Sequence, residues 1–378
     1  MNELSNGLEN FYEDKGYIPF INARGWKGDP DRYTDTQAII GIACVNAYRK
    51  TGTQEYLLCA DRSARVLKDF YWDNELGGFY EMIGQYLEEG HRYKLSHSNL
   101  WAAWFLLEYY AITGDSKSRN MAISTLNLIE KYFYNDGRFM HSAYRNFELT
   151  GCGLGGCCGN DTFADGQSVG IIAYIRTYKI LGDEKYRKTV ISALNEFNNL
   201  KDGEGGFVHC TSRRDYEGKA TWEQFSVVIP LLYGYEFTND SRYLRMALDE
   251  LSYIESEFSS TDSRLIINRI LDYRDLRTQA YALWAYSLAI RYDDKYKNKF
   301  QSLLNETIEY HHNENGFWRD SKKFVKLSYD YGVLLMALSE FVDVNRTVEK
   351  ENKILYGKYI LILLVFLIII VYVCHHVI

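Results

Sequence analysis

DGQSVGIIAYIRTYKILGDEKY, residues 165–186, predicts a helix of about four turns that is apolar on nearly every side and ends at a glycine. Gln167 stands near the start of this stretch, and Gly182 follows fifteen positions later. Glycine suits a helix end because it adopts a left-handed conformation without steric cost. The same pattern of an amide, an apolar run and a turn residue recurs in residues 35–56, 97–118, 223–243 and, less regularly, 277–296. The chain is therefore built on an internal repeat.

A second helix of different character is predicted after each of these turns. The second helices carry apolar residues at three- and four-residue spacing, with charged residues on the opposite face. They cover residues 55–72, 117–133, 184–197, 241–258 and 295–312. A helix that is apolar all round needs neighbours on every side. We therefore expect an inner ring of apolar helices surrounded by an outer ring of amphipathic helices.

A step of glycine and a following aromatic residue recurs after the second helices. Its copies are Gly78-Phe79, Gly137-Arg138-Phe139, Gly206-Phe207 and Gly316-Phe317, with Arg264-Leu265 as the weakest. Residues 329–341 predict a sixth inner helix, which has no outer partner before the end of the chain. We expect residues 2–14 to be that partner, because Tyr17 to Phe20 then resemble the same step. The pattern predicts an all-α fold, an (α/α)6 toroid of six helical hairpins over residues 1–343.

The C-terminal stretch, residues 359–378, is a candidate transmembrane helix. It contains 20 residues without a formal charge, which at about 1.5 Å per residue span the core of a bilayer. Residues 344–358 form a basic juxtamembrane linker that carries Arg346, Lys350, Lys353 and Lys358. Because basic residues favour the cytoplasmic side, we expect a single-pass membrane protein whose large domain is cytoplasmic. The first twenty residues carry early acids and no long apolar run, which argues against a secretory signal.

Composition narrows the class of partner. A net charge of -7, without a block of lysines and arginines, argues against nucleic acid. Aromatic residues make up 16% of the chain, and their flat faces suit stacking on sugar rings as well as helix packing. The seven cysteines are an odd number without an even framework of spacings, so in a reducing cytoplasm we expect thiols.

Candidate site residues fall into two columns when the repeats are aligned. The loops that lead into the inner helices are long, and long loops on one face of a rigid scaffold commonly carry binding sites. Two positions before each amide stand Asp35, His97, Asp165, Trp222 and Arg277, with Glu223 beside Trp222. Two positions after the aromatic residue of each step stand Asn22, Glu81, His141, His209 and Arg319. We expect both columns to converge on one mouth of the ring.

These residue types suit acid–base chemistry on a sugar. The candidate catalytic residues are Asp165, Glu223, His141, His209 and Asp35. The candidate substrate-binding residues are His97, Trp222, Gln167, Gln224, Arg277, Glu81 and Arg319. Carboxylates can act as acid and base across a glycosidic bond. Histidines can move a proton at a carbon beside a carbonyl, as epimerisation requires. We assign no cofactor and no metal.

Each candidate also has a structural interpretation. Asp35 and Asp165 stand where N-cap residues belong. The amides could simply bond neighbouring loop backbone, and a single histidine is more often a packing residue than a catalyst. Four cysteines form a further candidate group, which could bind zinc together with His209. They are Cys152, Cys157, Cys158 and Cys210. Adjacent cysteines rarely ligate one ion comfortably, so we expect a glycine-rich loop there instead.

The repeats resemble those of the six-hairpin glycosidase-like superfamily. The resemblance covers about residues 2–343 and rests on the repeated pattern with its TGD and LGD turns and GGF steps. That superfamily includes the N-acylglucosamine and cellobiose 2-epimerases, unsaturated glucuronyl hydrolases and several glycosidase families. The resemblance implies a carbohydrate-active enzyme, here tethered to a membrane, that hydrolyses a glycosidic bond or epimerises a sugar.

Two other functions fit the same fold. A terpenoid or prenyl-processing toroid would need an aspartate-rich motif or a zinc site of Cys, His and Asp residues. A non-catalytic glycan-binding or scaffold toroid would have acids that are capped or solvated, with ordinary pKa values. The geometry and the pKa values of the site therefore separate an enzyme from a binding module.

Overall fold

The computed structural model describes residues 7–24, 27, 31–84, 92–152, 157–202, 205–212, 220–259, 266–267, 273–320 and 325–351. In these residues, apolar helices alternate with amphipathic helices along the chain. The apolar helices are α1 (Thr34–Thr51), α3 (Ser96–Thr113), α5 (Ala164–Leu181), α7 (Thr221–Thr238), α9 (Leu276–Ala289) and α11 (Ser328–Glu351). The amphipathic helices are α2 (Gln54–Val66), α4 (Ser116–Tyr132), α6 (Glu184–Leu200), α8 (Ser241–Phe258) and α10 (Lys295–His311).

The apolar helices form a closed inner ring. Each packs against the next, and α11 packs back against α1. Each amphipathic helix packs outside the apolar helix that precedes it. In α3 every residue from Leu100 to Leu107 is buried, whereas α8 buries mainly one face. Gly41 lets α1 and α3 approach closely, because a Cβ there would lie 2.4 Å from the Phe105 ring. The predicted inner and outer rings are confirmed.

Short antiparallel strand pairs occupy the loops between the helices. The strands are β1 (Tyr12–Glu13), β2 (Gly16–Tyr17), β3 (Phe20–Asn22), β4 (Arg32–Tyr33), β5 (Met82–Ile83), β6 (Tyr93–Leu95), β7 (Tyr134–Asn135), β8 (Arg138–Phe139), β9 (Ser142–Tyr144), β10 (His312–Asn313), β11 (Gly316–Phe317) and β12 (Val325–Leu327). β1 pairs with β2, β7 with β8 and β10 with β11, and each pair forms one glycine–aromatic step. β4 pairs with β5, β6 with β9 and β3 with β12, which links the loops of neighbouring hairpins.

The two ends of the chain close the ring together. Leu8 and Phe11 are buried, and the Phe11 ring lies 5.6 Å from that of Tyr331 in α11. β3 pairs with β12, and Ser328 Oγ donates a 2.8 Å hydrogen bond to the Ile18 carbonyl. The described part of the N-terminal segment therefore packs beside α11, as predicted. Helix there covers only residues 7–9, and residues 2–6 lie outside the described part.

The fourth residue of each inner helix binds the backbone of one glycine–aromatic step. The pairs are Gln37 with Tyr17, Asn99 with Phe79, Gln167 with Phe139, Gln224 with Phe207, Gln279 with Ile266 and Tyr331 with Phe317. The first step therefore centres on Tyr17, and the fifth on Ile266 rather than on the predicted Arg264-Leu265. We call this fourth residue the clamp. Both shifts arise because the clamp, and not the glycine, determines which residue lies at the centre of each step.

Ion pairs join the inner helices near their C-terminal ends, at the side of the ring away from these steps. Glu108 of α3 pairs with Arg49 of α1 and lies 3.8 Å from Arg176 of α5. Arg291, just after α9, lies 2.6 Å from Glu340 of α11. Buried charges need such partners, since an unpaired one costs several kcal/mol, roughly 3–5. The ion pairs therefore link consecutive inner helices on the side of the ring where those helices end.

The last described helix runs into the predicted linker. α11 continues to Glu351, so the first part of the predicted linker, residues 344–358, is helical. Among the described helices, none combines the length and hydrophobicity that a membrane crossing needs. The predicted span, residues 359–378, lies outside the described residues.

Six of the seven cysteines are paired, which corrects the expectation of thiols. The disulfides are Cys44–Cys59, Cys152–Cys158 and Cys157–Cys210. The spacing rule missed these pairs because the ring brings Cys157 and Cys210, 53 positions apart, to adjacent rim loops.

Candidate active site

The second residue of every inner helix faces one central cavity. The cavity encloses about 290 Å³, and the six second residues that line it are Asp35, His97, Asp165, Trp222, Arg277 and Tyr329. All six are half-buried, between fully buried neighbours in the same helices. The prediction named five of these residues in one column. It missed Tyr329, which stands two positions before Tyr331, because Tyr331 is not an amide.

Aromatic side chains form much of the wall and floor of the cavity. Trp101 and Tyr281 lie one helical turn below His97 and Arg277, and Trp284 lies deeper. The Tyr281 and Tyr329 hydroxyls are 2.8 Å apart. The sequence carried a signal for these residues, since positions i and i+4 share one helix face. Flat apolar faces with hydroxyl handles are well suited to sugar rings.

Asp35, His97 and Asp165 form an ionisable half of the mouth, on the consecutive inner helices α1, α3 and α5. Each carboxylate accepts a hydrogen bond from the following backbone amide, at 2.5 Å from Thr36 N and 2.7 Å from Gly166 N. Neither aspartate is an N-cap, because the cap positions are Tyr33 and Phe163. The N-cap interpretation is therefore wrong, and both carboxylates lie in the first helical turn, where the helix dipole favours negative charge.

A line of side chains runs behind this half of the cavity wall. The His97 and His141 rings stack at 5.7 Å, and Phe163 lies 4.0 Å from His141 and 4.8 Å from His209. His209 Nδ1 lies 2.8 Å from one Glu223 oxygen and 3.0 Å from the other. Two members of the second predicted column, His141 and His209, thus lie beside the mouth. Only the first column lines the cavity directly, and His141, His209 and Glu223 lie behind it.

The local environment perturbs several of these pKa values. Burial raises the pKa of Glu223 to about 7, although the His209 hydrogen bond opposes the shift. Burial and the charge of His97 lower the pKa of His141 to about 4. Burial also raises the pKa of Glu81, which feels the charges of His97 and Asp35. At neutral pH His141 is therefore uncharged, and Glu223 can exchange a proton.

Arg277 is held on the opposite side of the mouth from His97, three inner helices around the ring. Its Nε donates to Asp330 Oδ1 at 3.1 Å, and Asp330 is fully buried. Its guanidinium carbon lies 4.2 Å from the centre of the Tyr329 ring and 5.7 Å from that of Trp222. The ion pair and the two aromatic contacts therefore hold the guanidinium in position.

Three predicted binding residues have other contacts. The amides of Gln167 and Gln224 are buried and bond the step backbone, so the structural interpretation holds for both. Gln167 Nε2 also donates to the Ala193 carbonyl at 2.8 Å. Arg319 bonds through its backbone to Leu276 and Val325 and is not among the residues that line the cavity.

The cysteine group braces the rim beside His209. The ligand atoms of Cys157, Asp161 and Cys210 lie within 4.8 Å of one another, but the two sulfurs are bonded together. The Asp161 carboxylate accepts hydrogen bonds from Thr211 Oγ1 at 2.7 Å and Ser212 N at 2.9 Å. With its sulfurs paired and its carboxylate occupied, this group acts as a structural tie between two rim loops.

Comparisons with curated proteins place parts of the chain beside sugar epimerases. It is 32% identical over 89 residues to cellobiose 2-epimerase from Bacteroides fragilis, covering 24% of this chain and 23% of the relative. It is 25% identical over 143 residues to cellobiose 2-epimerase from Dictyoglomus turgidum, covering 35% and 36%. The aligned parts thus span about a quarter and about a third of these relatives. No protein-family profile matches the chain.

Solved structures share the fold over most of the chain. Cellobiose 2-epimerase from Bacillus thermoamylovorans has a TM-score of 0.78 at 16% identity, over 90% of this chain and 97% of that structure. A D-mannose isomerase has a TM-score of 0.75 at 13% identity, over 90% and 95%. A GH76 α-mannanase from Bacteroides thetaiotaomicron has a TM-score of 0.70 at 11% identity, over 92% and 95%. The chain therefore shares the fold of these epimerase, isomerase and mannanase structures, as its repeats predicted.

Proposed function

We propose that this chain is a sugar-processing enzyme that moves protons on a sugar bound in the central cavity, as a sugar epimerase or isomerase. The observation that carries the proposal is the ionisable half of the mouth. Asp35, His97 and Asp165 face one cavity whose other walls are mainly aromatic and aliphatic. The cavity volume, about 290 Å³, is at the lower end of ligand pockets, which suits one or two sugar rings.

The proposed reaction needs a base and an acid at one carbon of an open-chain sugar. A base removes the proton from carbon 2, and the electron pair is delocalised into an enediolate. Returning a proton to the opposite face of carbon 2 produces the epimer, whereas returning it to carbon 1 produces the ketose. His97 is the histidine that reaches the cavity, and Asp165 and Asp35 flank it. These three groups are our candidates for the acid and the base.

The surrounding residues would tune that chemistry. His141, stacked on His97, is uncharged at neutral pH because its pKa is lowered to about 4. Asp165 also raises the pKa of Glu223, so a change of charge at Asp165 reaches the Glu223–His209 pair. We assign His141, His209 and Glu223 to positioning and proton balance rather than to direct contact with the sugar.

Glycoside hydrolysis is the second candidate function, and the two cavity carboxylates favour it. Hydrolysis requires one carboxyl group as acid and one as base or nucleophile. Asp35 and Asp165 supply such a pair from α1 and α5. The relatives and fold neighbours support both candidates, since they are named as 2-epimerases, an isomerase and mannanases.

Two further alternatives receive less support. A non-catalytic toroid would have capped acids with ordinary pKa values, but Asp35 and Asp165 are not caps and the pKa of Glu223 is raised to about 7. A prenyl-processing toroid would need a metal or aspartate-rich site, whereas the described Cys157–Asp161–Cys210 group has its sulfurs paired.

A deuterium-exchange experiment tests the proposal. Reducing sugars and disaccharides are incubated with the protein in D₂O and followed by NMR. Epimerisation and isomerisation introduce deuterium at carbon 2 or carbon 1, whereas hydrolysis releases new reducing ends without exchange. Removing a true acid or base, as in His97→Ala and Asp165→Ala, should lower the rate by about 100- to 10,000-fold.

Asp183→Ala is the matched control for Asp165→Ala. Asp183 is the N-cap of α6 and accepts a 2.9 Å hydrogen bond from Lys185 N, on an outer helix. Its loss should cost about 1 kcal/mol of stability and leave the rate unchanged. Full activity in both cavity variants, or no turnover of any sugar by the native chain, would sink the proposal.

We further propose that residues 359–378 tether the enzyme to a membrane. The run of 20 residues without a formal charge supports the tether. Full-length protein should stay with membranes through a carbonate wash, whereas a chain ending at residue 345 should not. Release of the full-length protein by carbonate would contradict the tether.

A further inference from the structure

The six second residues divide the mouth into two chemically different halves. Helices α1, α3 and α5 present Asp35, His97 and Asp165, which can donate and accept protons. Helices α7, α9 and α11 present two aromatic rings with a single cation between them, namely Trp222, Arg277 and Tyr329. A sugar in the cavity therefore meets acids and a base at one end and a permanent positive charge at the other.

Arg277 has unused donors that face this cavity. A guanidinium carries five N–H groups, and only the Nε group is engaged, by Asp330. Within the described part of the chain, no residue accepts a hydrogen bond from its Nη1 or Nη2. The side chain is 25% exposed and lines the cavity. The four N–H groups on Nη1 and Nη2 thus have no acceptor among the described residues, and two of them, one from each nitrogen, point outward from the end of the guanidinium.

Asp330 holds Arg277 without covering that end of the guanidinium. Its carboxylate is fully buried behind the cavity wall, and its contact is with Nε. The guanidinium carbon lies 4.2 Å from the centre of the Tyr329 ring, a cation–π contact that uses none of the Nη N–H groups as hydrogen-bond donors. A planar fork of this kind matches a carboxylate or phosphate, which can accept two parallel hydrogen bonds. Neutral hydroxyl groups would leave the charge of the guanidinium without a second partner.

We infer that the substrate is a sugar that carries an anionic group, a carboxylate or a phosphate, and that Arg277 binds this group. The inference rests on the proposed function and adds its substrate class. It also gives the sugar a direction in the cavity. Asp35 and Asp165 repel an anion from their half, so the anionic end lies at Arg277 and the reacting carbon lies beside His97. Arg277 is thus a specificity-determining residue.

Binding of matched sugars to the full chain tests the inference. Glucose, glucuronate and glucose 6-phosphate are titrated calorimetrically at equal ionic strength, and the two charged sugars distinguish a carboxylate from a phosphate site. At least one of them should bind about 10- to 100-fold more tightly than glucose, as a charge-assisted pair predicts. Arg277→Gln should remove that advantage, so that the charged sugars bind no more tightly than glucose.

Three additional variants keep the test decisive. Arg277→Gln leaves Asp330 buried without its partner and could unfold the chain, so Arg277→Gln/Asp330→Asn is measured beside it. Arg277→Lys keeps the charge but loses the fork, and it should retain only part of the preference. Arg187→Gln, on the exposed face of α6, is the control and should bind all three sugars like the native chain.

The outcomes separate this inference from the proposed function. Equal binding of glucose and both anions, or an anion preference that survives in the folded double variant, overturns the role of Arg277 even if sugars are turned over. Tight binding of an anion that depends on Arg277, without turnover of any sugar, supports the anion site and contradicts the proposed catalysis.

Discussion

The second and fourth residues of each inner helix have separate tasks. Asp165 faces the cavity, whereas Gln167, two positions later, clamps the backbone of a step. Residues two apart on a helix point about 200° away from each other, so they cannot face the same site. Alignment of the repeats alone placed Gln167 and Gln224 near the substrate, because the second and fourth residues both lie at the start of an inner helix.

The clamp should be important for stability rather than for catalysis. Gln224→Ala leaves the Phe207 N–H and carbonyl groups buried without their partner. An unsatisfied buried group costs about 1–3 kcal/mol, so the free energy of unfolding should fall by that order. Gln54→Ala, at an exposed position of α2, should change it by less than about 0.5 kcal/mol. Urea denaturation measures both, and equal stabilities of the two variants would contradict the clamp.

The buried imidazole of His141 should make stability depend on pH. Burial and the charge of His97 lower its pKa to about 4, below the unfolded value of 6.5. The unfolded chain therefore takes up the proton first, and the free energy of unfolding falls as the pH drops from about 6.5 to about 4. The loss should reach at most about 3 kcal/mol.

Denaturant unfolding across this pH range checks the prediction. His141→Gln removes the titrating group and should lessen the fall in stability at acid pH. His312→Gln, in β10, is the control and should follow the native chain. An NMR titration that finds His141 protonated at neutral pH would contradict the predicted direction.

At the scale of the element, one dipeptide ends an inner helix and starts an outer one. Gly114 and Gly182 adopt positive φ angles of 76° and 72° at the ends of α3 and α5. The following residues, Asp115 and Asp183, accept hydrogen bonds from Lys117 N and Lys185 N as N-caps of α4 and α6. The repeated GD pair therefore makes a tight helical hairpin, which explains why the turns were readable from sequence.

The N-terminal segment should be a structural element of the ring. Phe11 is fully buried against Tyr331 of α11. Phe11→Ala should cost about 3–5 kcal/mol, because it removes a buried ring and leaves a cavity. Phe70→Ala, at a residue that is 39% exposed, is the matched control with an expected change below about 0.5 kcal/mol. Thermal melting measures both, and an unchanged melting temperature for Phe11→Ala would refute the closure.

At the scale of the whole molecule, two features favour opposite sides of a membrane. Lys350, Lys353 and Lys358 precede the proposed anchor and favour a cytoplasmic domain. The three disulfides favour an oxidising compartment, because cytoplasmic thiols are kept reduced. The cysteines are more informative about the environment in which the domain folds, since each pair requires an oxidising step.

Cysteine labelling distinguishes these two placements. Denatured protein from its native membrane should react with maleimide at one cysteine, Cys374, and at all seven after reduction. Protease added to intact membranes shows which side the domain occupies. Seven reactive cysteines without reduction would contradict the disulfides and favour the cytoplasmic side.

The sequence by itself determined the six-hairpin ring and five of the six residues around its cavity. Both follow from local physics: apolar periodicity decides which helices are buried, and glycine and aspartate decide where they turn. The position of Asp165 at the start of α5 was readable for the same reason, since it depends only on its own helix.

Only the tertiary structure decided which side chains of neighbouring hairpins contact each other. The Glu223–His209 pair, the Arg277–Asp330 pair and the Cys157–Cys210 disulfide join residues 14, 53 and 53 positions apart. Such contacts depend on how neighbouring hairpins dock, and no local periodicity encodes that docking. The raised pKa of Glu223 and the lowered pKa of His141 likewise come from burial between helices, which exists only once the ring has closed.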